Sequence, residues 1–389
     1  MGAAEGGTIS GRRPMELEEF RSGLDAWLDE QAAALAPSGA VGSLDDEMAQ
    51  LAKVKWATFD AGWMRWGWPE RVGGLGGSPI LRAYLGEALT ARDLVNAGGY
   101  SMTEVLAPTV IDYARPELAA EMVPLLLRGE EMWCQGFSEP GTGSNLAALS
   151  CRAVRVDDGW RVTGQKVWTS YAQYAARCML LTRTGPPESA HRGITAMFVD
   201  MASPGITVRP LGTMHGGAEF CEVFFDDVAV PFERMLGEEG QGWSVAMDLL
   251  PFERSTSLWH RGALLNRRLE QFLSVAEAES VGASEVGDVF LQLHALRALS
   301  RSTQHRMAAG ERLGPETSVD KILLATAEQA LFDLVAAGLA DDVLLGDDSA
   351  SERWRAEYLY SRAATIYGGS AEIQRNIVAR RLLDLGADA

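Results

Sequence analysis

The stretch CRAVRVDDGWRVTGQKVWTS, Cys151 to Ser170, decides how the chain divides. Apolar and polar residues alternate through CRAVRV and again through GWRVTG, with Asp157-Asp158-Gly159 between them. A period of two sends successive side chains to opposite faces of a sheet, so the segment reads as two strands joined by a tight turn. The same texture runs from about Glu131 to Phe232, in CMLLTRT, GITAMFVD and EVFFDDVAV, broken at Gly185-Pro186-Pro187. This middle third predicts an antiparallel sheet or small barrel.

On either side the period changes. From Glu16 to about Gly129 apolar residues recur three and four apart, as in FRSGLDAWLDEQAAAL and ELAAEMVPLLLRG, which predicts amphipathic helices. The helical period returns at Trp243 and holds almost to the end, with polar breaks near Ser280 to Gly287 and Gly346 to Ser351. The expected fold is α+β and multidomain. A helical N-terminal domain spans 14–130, a middle antiparallel β domain 131–232, and a helical C-terminal domain built as a bundle 233–389. Within the first part lies GGLGGSP, Gly73 to Pro79. A phosphate-binding loop needs a strand before it, and WGWPERV is a poor one, so Ser78 is expected to cap and Pro79 to open the next helix.

Bulk properties exclude several classes of function. A chain of 389 residues exceeds one simple core, and 47% hydrophobic with 23% charged residues is ordinary for a globular protein. A formal net charge of −18 opposes nucleic-acid binding, which needs clustered cations on phosphates. No apolar run is long enough to cross a bilayer, so no membrane partner is expected. The opening MGAAEGGTISGRRPM lacks the apolar core of a secretion signal and reads as a flexible tail. Cys134, Cys151, Cys178 and Cys221 form no CxxC pair, which suits a reduced, cytoplasmic protein. The histidines (191, 215, 260, 294 and 305) show neither i, i+4 pairing nor partnership with cysteine, so no metal site is expected.

The chemistry concentrates in GFSEPGTGSNLAAL, Gly136 to Leu149. Its glycines let backbone approach a ligand, and Ser138, Thr142 and Ser144 offer hydroxyls and N–H groups to an anion or a polar ring edge. Some twenty residues on, KVWTS places the indole of Trp168 before Thr169 and Ser170. A flat heteroaromatic cofactor needs such a face and such donors, although Trp168 taken alone reads as a core tryptophan of a sheet.

These stretches, with EFCEVFFDDVAVP (Glu219 to Pro231), GEEGQGW (Gly237 to Trp243) and the closing GGSAEIQRNIVARRLL, resemble the acyl-CoA dehydrogenase family of flavoproteins. The resemblance runs from about Glu16 to the C-terminus and implies helical, β and four-helix domains in that order. It implies FAD between the β and C-terminal domains, with part of it reaching into a neighbouring subunit of a homodimer or homotetramer. Gln135, Phe137 and Ser138 would line the flavin, and Gly143 and Ser144 would lie near its phosphates and the substrate. Trp168 would cover the ring and Ser170 would bond its N5, while Ser370 and Glu372 would hold the FAD end of the closing loop. The implied substrate is an acyl-CoA or another acyl thioester, and the implied acceptor an electron-transfer flavoprotein.

In that family a glutamate removes the α-proton of the thioester while a β-hydride passes to the flavin. So weak an acid demands a carboxylate held close and desolvated. Many members carry this glutamate directly after the tyrosine of the closing loop, where this chain has Tyr367-Gly368. The family's second placement, on the first long helix of the C-terminal domain before an arginine, is filled by Glu253-Arg254. Glu253 is therefore the expected base, in the room that Gly368 leaves, with Ser144, Arg254, Tyr367 and Gly368 around the substrate. Glu139, in its SEP context, is expected to serve the loop's structure.

Two departures stand out. The family's Arg-x-x-Phe-Gly segment, which reaches the partner's FAD, is replaced by AEAESVGASEVGDVF, and its Gln-x-x-Gly-Gly segment by LVAAGLADDVLLGDD. The departures keep open a subunit of a heteromer supplying part of the site; a flavin oxidase on the same scaffold, with oxygen as acceptor, is a further reading beside a complete dehydrogenase.

Overall fold

The computed structural model describes residues 13, 15–37, 43–277 and 280–386. The N-terminal tail and Pro14, the expected first residue of the helical domain, lie outside them. Among the described residues six α-helices come first: α1 (Leu17–Glu30), α2 (Ala32–Leu35), α3 (Leu44–Asp60), α4 (Ile80–Ala91), α5 (Ala97–Tyr113) and α6 (Pro116–Arg128). Ser43 and Asn96 start α3 and α5, their side-chain oxygens accepting from Asp46 N and Gly99 N. Among the described residues no strand precedes Gly73, and Ser78 Oγ accepts from Ile80 N at 3.3 Å, so the glycine run is a turn into α4, which begins one residue after Pro79.

Eight strands follow: β1 (Trp133–Gly136), β2 (Arg152–Val156), β3 (Gly159–Ser170), β4 (Arg177–Arg183), β5 (Ile194–Asp200), β6 (Ile206–Leu211), β7 (Phe220–Pro231) and β8 (Met235–Leu236). They lie in the order β6-β7-β3-β2-β4-β5-β8, with β1 also on β4. The ladders are antiparallel except where β4 meets β1 and β2, which run parallel to it. Pairing of β3 with β7 slips between Lys166 and Thr169, the mark of a β-bulge.

The last part holds α7 (Gly242–Glu253), α8 (Thr256–Val275), α9 (Ala283–Ala308), α10 (Thr317–Gly338), α11 (Ala340–Leu345), α12 (Ser349–Ser361) and α13 (Ala371–Ile377). The polar breaks are shorter than their composition suggests. Glu285 accepts from Gly282 N and starts α9 inside the first, and Asp348 caps α12 inside the second. Among the described residues no helix is long and apolar enough to cross a membrane.

Three cores result. One joins the N-terminal helices to one sheet face (Trp133, Phe198, Leu236) and to α7 (Val245, Ala246, Leu249). A second lies on the other sheet face around Trp160, Val162, Val223 and Phe225, and a third fills the bundle around Leu265, Phe272, Leu293, Leu331 and Phe332. Helix α8 is also tied to the first helical layer, because Trp259 Nε1 donates to Ala83 O at 3.1 Å and His260 Nδ1 lies 3.1 Å from Ser101 Oγ.

His260 is fully buried, edge-on to Tyr100, so close to α4 that a Cβ added to Gly86 would fall 2.1 Å from its Nε2. Burial depresses its pKa from 6.5 to about 3. The unfolded chain therefore binds a proton between these values that the folded chain refuses. His260 is compatible with full stability above pH 6.5 and takes stability away as the pH falls toward 3. Denaturant titrations over this window should show stability falling by up to about 1.4 kcal/mol per pH unit from this group. His260→Gln should flatten that slope; an unchanged slope refutes the assignment.

Candidate active site

Gly368 (φ +63°) and Gly369 (φ +91°) turn the chain into α13 through the left-handed region, which glycine alone enters without cost. Buried Gln374 clamps this turn, Nε2 donating to Gly368 O at 2.9 Å and Gly369 O at 3.4 Å. Ser370 Oγ accepts from Ile373 N at 3.4 Å and caps α13. Glu372 lies exposed beside it, its carboxyl held low by its own backbone N–H and by Ser370.

Opposite the turn stands Glu253. It is the last residue of α7, the first helix of the C-terminal part, directly before Arg254. Pro251 has no N–H for the helical ladder. Ser255 then leaves helical angles (φ −120°, ψ −64°), and its Oγ donates back to Pro251 O at 2.6 Å. Helix α7 therefore stops at Glu253 and α8 restarts at Thr256. At this corner the carboxylate faces the turn: a Cβ built on Gly368 would lie 3.4 Å from Glu253 Oε1 and 3.1 Å from Lys321 Cε. Gln135 Nε2 lies 3.4 Å from Glu253 Oε2, bringing β1 to the same point.

The next residue, Arg254, is half-buried, and its Nε is enclosed with no hydrogen-bond partner among the described residues. Burial lowers the guanidinium pKa and the Glu253 charge opposes that shift. Arg254 Nη2 would be 3.7 Å from a Cβ on Gly369. Tyr367 packs under Lys321, whose Nζ is 4.2 Å from its ring centroid, and its hydroxyl reaches Glu328 Oε2 at 3.4 Å. Burial, then the Glu328 charge, pushes the Tyr367 phenol well above its ordinary pKa.

The loop after β1 is pinned to β3. Lys166, wholly buried, donates to Phe137 O at 3.0 Å and Glu139 Oε1 at 2.9 Å, and Val167 N donates to Ser138 O at 3.0 Å. Glu139 also accepts from Ser150 N, Ser150 Oγ and Cys151 N. Burial alone would raise its carboxyl, but the Lys166 charge and these donors outweigh burial and hold it below the usual range. Glu139 thus serves the loop's structure. Gln135, Phe137, Ser138 and Trp168 are drawn together here, and Ser170 ends the same strand opposite Phe220. Trp168 sits at the bulge with φ +58° and is 59% exposed, edge-on to Phe220 at 5.9 Å. Nearby, Thr142 Oγ1 and Thr169 Oγ1 are buried without a hydrogen-bond partner among the described residues, and a Cβ on Gly141 or Gly143 would meet open space. Gly143 and Ser144 lie exposed on this loop.

Sequence reasoning missed Lys321, Arg261, Glu328 and Gln374. Arg261 Nη2 and Nε donate to Glu328 Oε1 and Oε2 at 2.7 and 3.2 Å, and that carboxylate is fully enclosed. The signal was present in α10. Lys321 and Glu328, two turns apart, fall on the same stripe as buried Leu324 and Leu331.

A helix–sheet–helix chain that sets a glutamate against a glycine turn and holds an outward indole on its sheet has the layout of a flavin-dependent dehydrogenase. The models of the acyl-CoA dehydrogenase N-terminal, middle and C-terminal domains match residues 15–130, 134–228 and 240–383. Acyl-CoA dehydrogenase IpdE1 of Mycobacterium tuberculosis is 33% identical over 383 residues, covering 96% of this chain and 99% of the relative. Among solved structures, a probable acyl-CoA dehydrogenase from Mycobacterium abscessus aligns with TM-score 0.79 at 25% identity, covering 93% of this chain and all of that one. The ChsE4-ChsE5 complex of Mycobacterium tuberculosis aligns with TM-score 0.75 at 25% identity, covering 98% of this chain and all of that one. The chain belongs to the acyl-CoA dehydrogenase family, oxidoreductases that dehydrogenate acyl-CoA thioesters.

Lys166→Met strips the partner from buried Glu139 and should cost about 3–5 kcal/mol in urea denaturation. Adding Glu139→Gln should recover part of the loss. Because Glu139 is held low when folded, its contribution is present above the ordinary carboxylate range and is lost as the pH falls through its folded value. A neutral effect of Lys166→Met at pH 7 refutes the pinning role.

Proposed function

We propose that the chain uses FAD to introduce an α,β double bond into an acyl thioester, with Glu253 taking the α-proton. One observation carries this reading: the Glu253 carboxylate faces the space a side chain at 368 would fill, 3.4 Å from its Cβ position. The two family positions for the base converge on one volume. Gln135 restrains one carboxylate oxygen, and the chain corner at Pro251 to Ser255 fixes the direction from which the group enters. A positioned base contributes about 10²- to 10⁴-fold in rate.

FAD fits the residues present. An exposed indole on a bulged strand offers a stacking face, and the unpaired hydroxyls of Thr142 and Thr169 with the open approach at Gly141 and Gly143 suit a polar ring edge and phosphates. Gln135, Phe137, Ser138, Trp168 and Ser170 would hold the ring, Gly143 and Ser144 the phosphates, and Ser370 and Glu372 the end near α13. When bound, FAD supplies the hydride acceptor. On the substrate side, the partnerless Arg254 Nε favours a carbonyl or anionic group, with Tyr367, Gly368 and Ser144 completing the enclosure. An electron-transfer flavoprotein is the proposed acceptor. Four buried cysteines, none in a disulfide, suit a cytoplasmic location.

A second reading concerns assembly: the chain acts in a heteromer rather than in a homodimer or homotetramer. The segment from Ala276 to Phe290 contains no cation in its sequence, and its described residues include Glu277, Glu285 and Asp288, while Asp341, Asp342, Asp347 and Asp348 crowd the start of α11 and α12. Anionic surfaces of this kind would not complete a neighbour's pyrophosphate site. The similar ChsE4-ChsE5 structure is named as a complex of two proteins.

Glu253→Gln should keep bound FAD and slow anaerobic flavin bleaching by an acyl-CoA about 10²-fold or more. Native bleaching in that variant removes Glu253 from the mechanism. Purified alone, a complete enzyme is yellow; a colourless chain that takes up FAD only beside a different chain establishes the heteromer.

A further inference from the structure

We infer that Lys321 is a positioning residue for the catalytic carboxylate: its ammonium latches the turn that carries Gly368 and holds a positive charge beside Glu253. This rests on the reading of Glu253 as the base.

Lys321 is 3% exposed on the inner stripe of α10. Burying an ammonium is expensive unless a charge or strong acceptor repays it. Among the described residues no carboxylate oxygen lies within 4.0 Å of Lys321 Nζ; the hydrogen bond it makes goes to the carbonyl of Ala364. Its other contact is the face of Tyr367, 4.2 Å from the ring centroid, a cation–π arrangement. Ala364 and Tyr367 belong to the segment that leads into Gly368, so the ammonium grips the turn just before its left-handed residues. Its Cε would lie 3.1 Å from a Cβ on Gly368, with Glu253 Oε1 3.4 Å from that same point. Ammonium stem and carboxylate therefore border one notch from two different helices.

The charges facing this notch settle what Lys321 acts on. From α10 comes Glu328, already held by two hydrogen bonds from Arg261 of α8. From the end of α7 come Glu253 and Arg254, and from β1 the neutral amide of Gln135. From the turn comes Tyr367, a neutral phenol, and from α12 Tyr360, whose ring lies 6.0 Å from that of Tyr367 and whose phenol is also pushed up, to about 12. With Glu328 neutralised by Arg261, Glu253 is the carboxylate left for Lys321 to support. On the lysine's side the sign agrees: burial lowers the Lys321 pKa to about 8, while Glu328 and then Glu253 raise it and Arg254 lowers it.

The test needs no substrate. Infrared difference titration of the holoprotein against its Glu253→Gln variant isolates the carboxyl band of Glu253 as a function of pH. Lys321→Met, of similar length but uncharged, should move the titration midpoint up by about one pH unit or more. Lys321→Arg, which keeps the charge, should leave it in place. A packing role alone would move neither. An unmoved midpoint in Lys321→Met overturns the inference, and so does an equal upward shift in Lys321→Arg. Should Lys321→Met fail to fold, Lys321→Gln retains a donor for Ala364 and must show the same upward shift. The infrared result stands apart from turnover: native bleaching in Glu253→Gln would sink the base assignment itself, and a still midpoint would sink only the part given to Lys321.

Discussion

The volume that a side chain at 368 would fill is bordered by a carboxylate and by the stem of an ammonium, so the residue at 368 sets how closely these two groups approach the turn. An added Cβ would press on Lys321 Cε at 3.1 Å and touch Glu253 Oε1 at an ordinary 3.4 Å, and the positive φ of Gly368 strains any replacement. The surroundings hold this arrangement from both sides. Helices α7 and α8 lean on the N-terminal helical layer, through Leu249 and through Trp259 and His260. The turn is fixed from the bundle side, by Gln374 and Lys321.

The molecule buries cations in two ways that differ in consequence. Lys166 meets Glu139 at 2.9 Å, and Arg261 meets Glu328 through two nitrogens. Each pair is closed and neutral, and fixes a segment: the first ties the loop after β1 to β3, the second ties α8 to α10. Lys321 and Arg254 have no such closure. On the function proposed above, their charge acts on whatever occupies the junction.

Much of this was legible in the sequence. Alternation in Cys151 to Ser170 and in Phe220 to Pro231 gave the strands, because a sheet face imposes period two on whatever it buries. The pairing of Glu253 with Gly368 was readable because a missing side chain and a displaced one are complementary facts. The helix break at Arg254-Ser255 was less visible: Pro251 signals it, but helices also continue past a proline, as α5 does past Pro108. The parallel contacts of β4 depend on chain crossings that no local period encodes. Lys321 and Glu328 were hidden by the habit of assigning charged residues to solvent, although their seven-residue spacing shares a face with Leu324 and Leu331.

The slip in pairing between Lys166 and Thr169 has an effect on parity. In an unbroken strand two residues that differ by two look the same way, so Trp168 would follow Lys166 into the interior. One extra residue reverses that rule locally: the ammonium stays inside, where it braces a loop, and the indole swings to the open side. A single strand thereby supplies structural cement and a ligand platform from positions that simple alternation would have made equivalent.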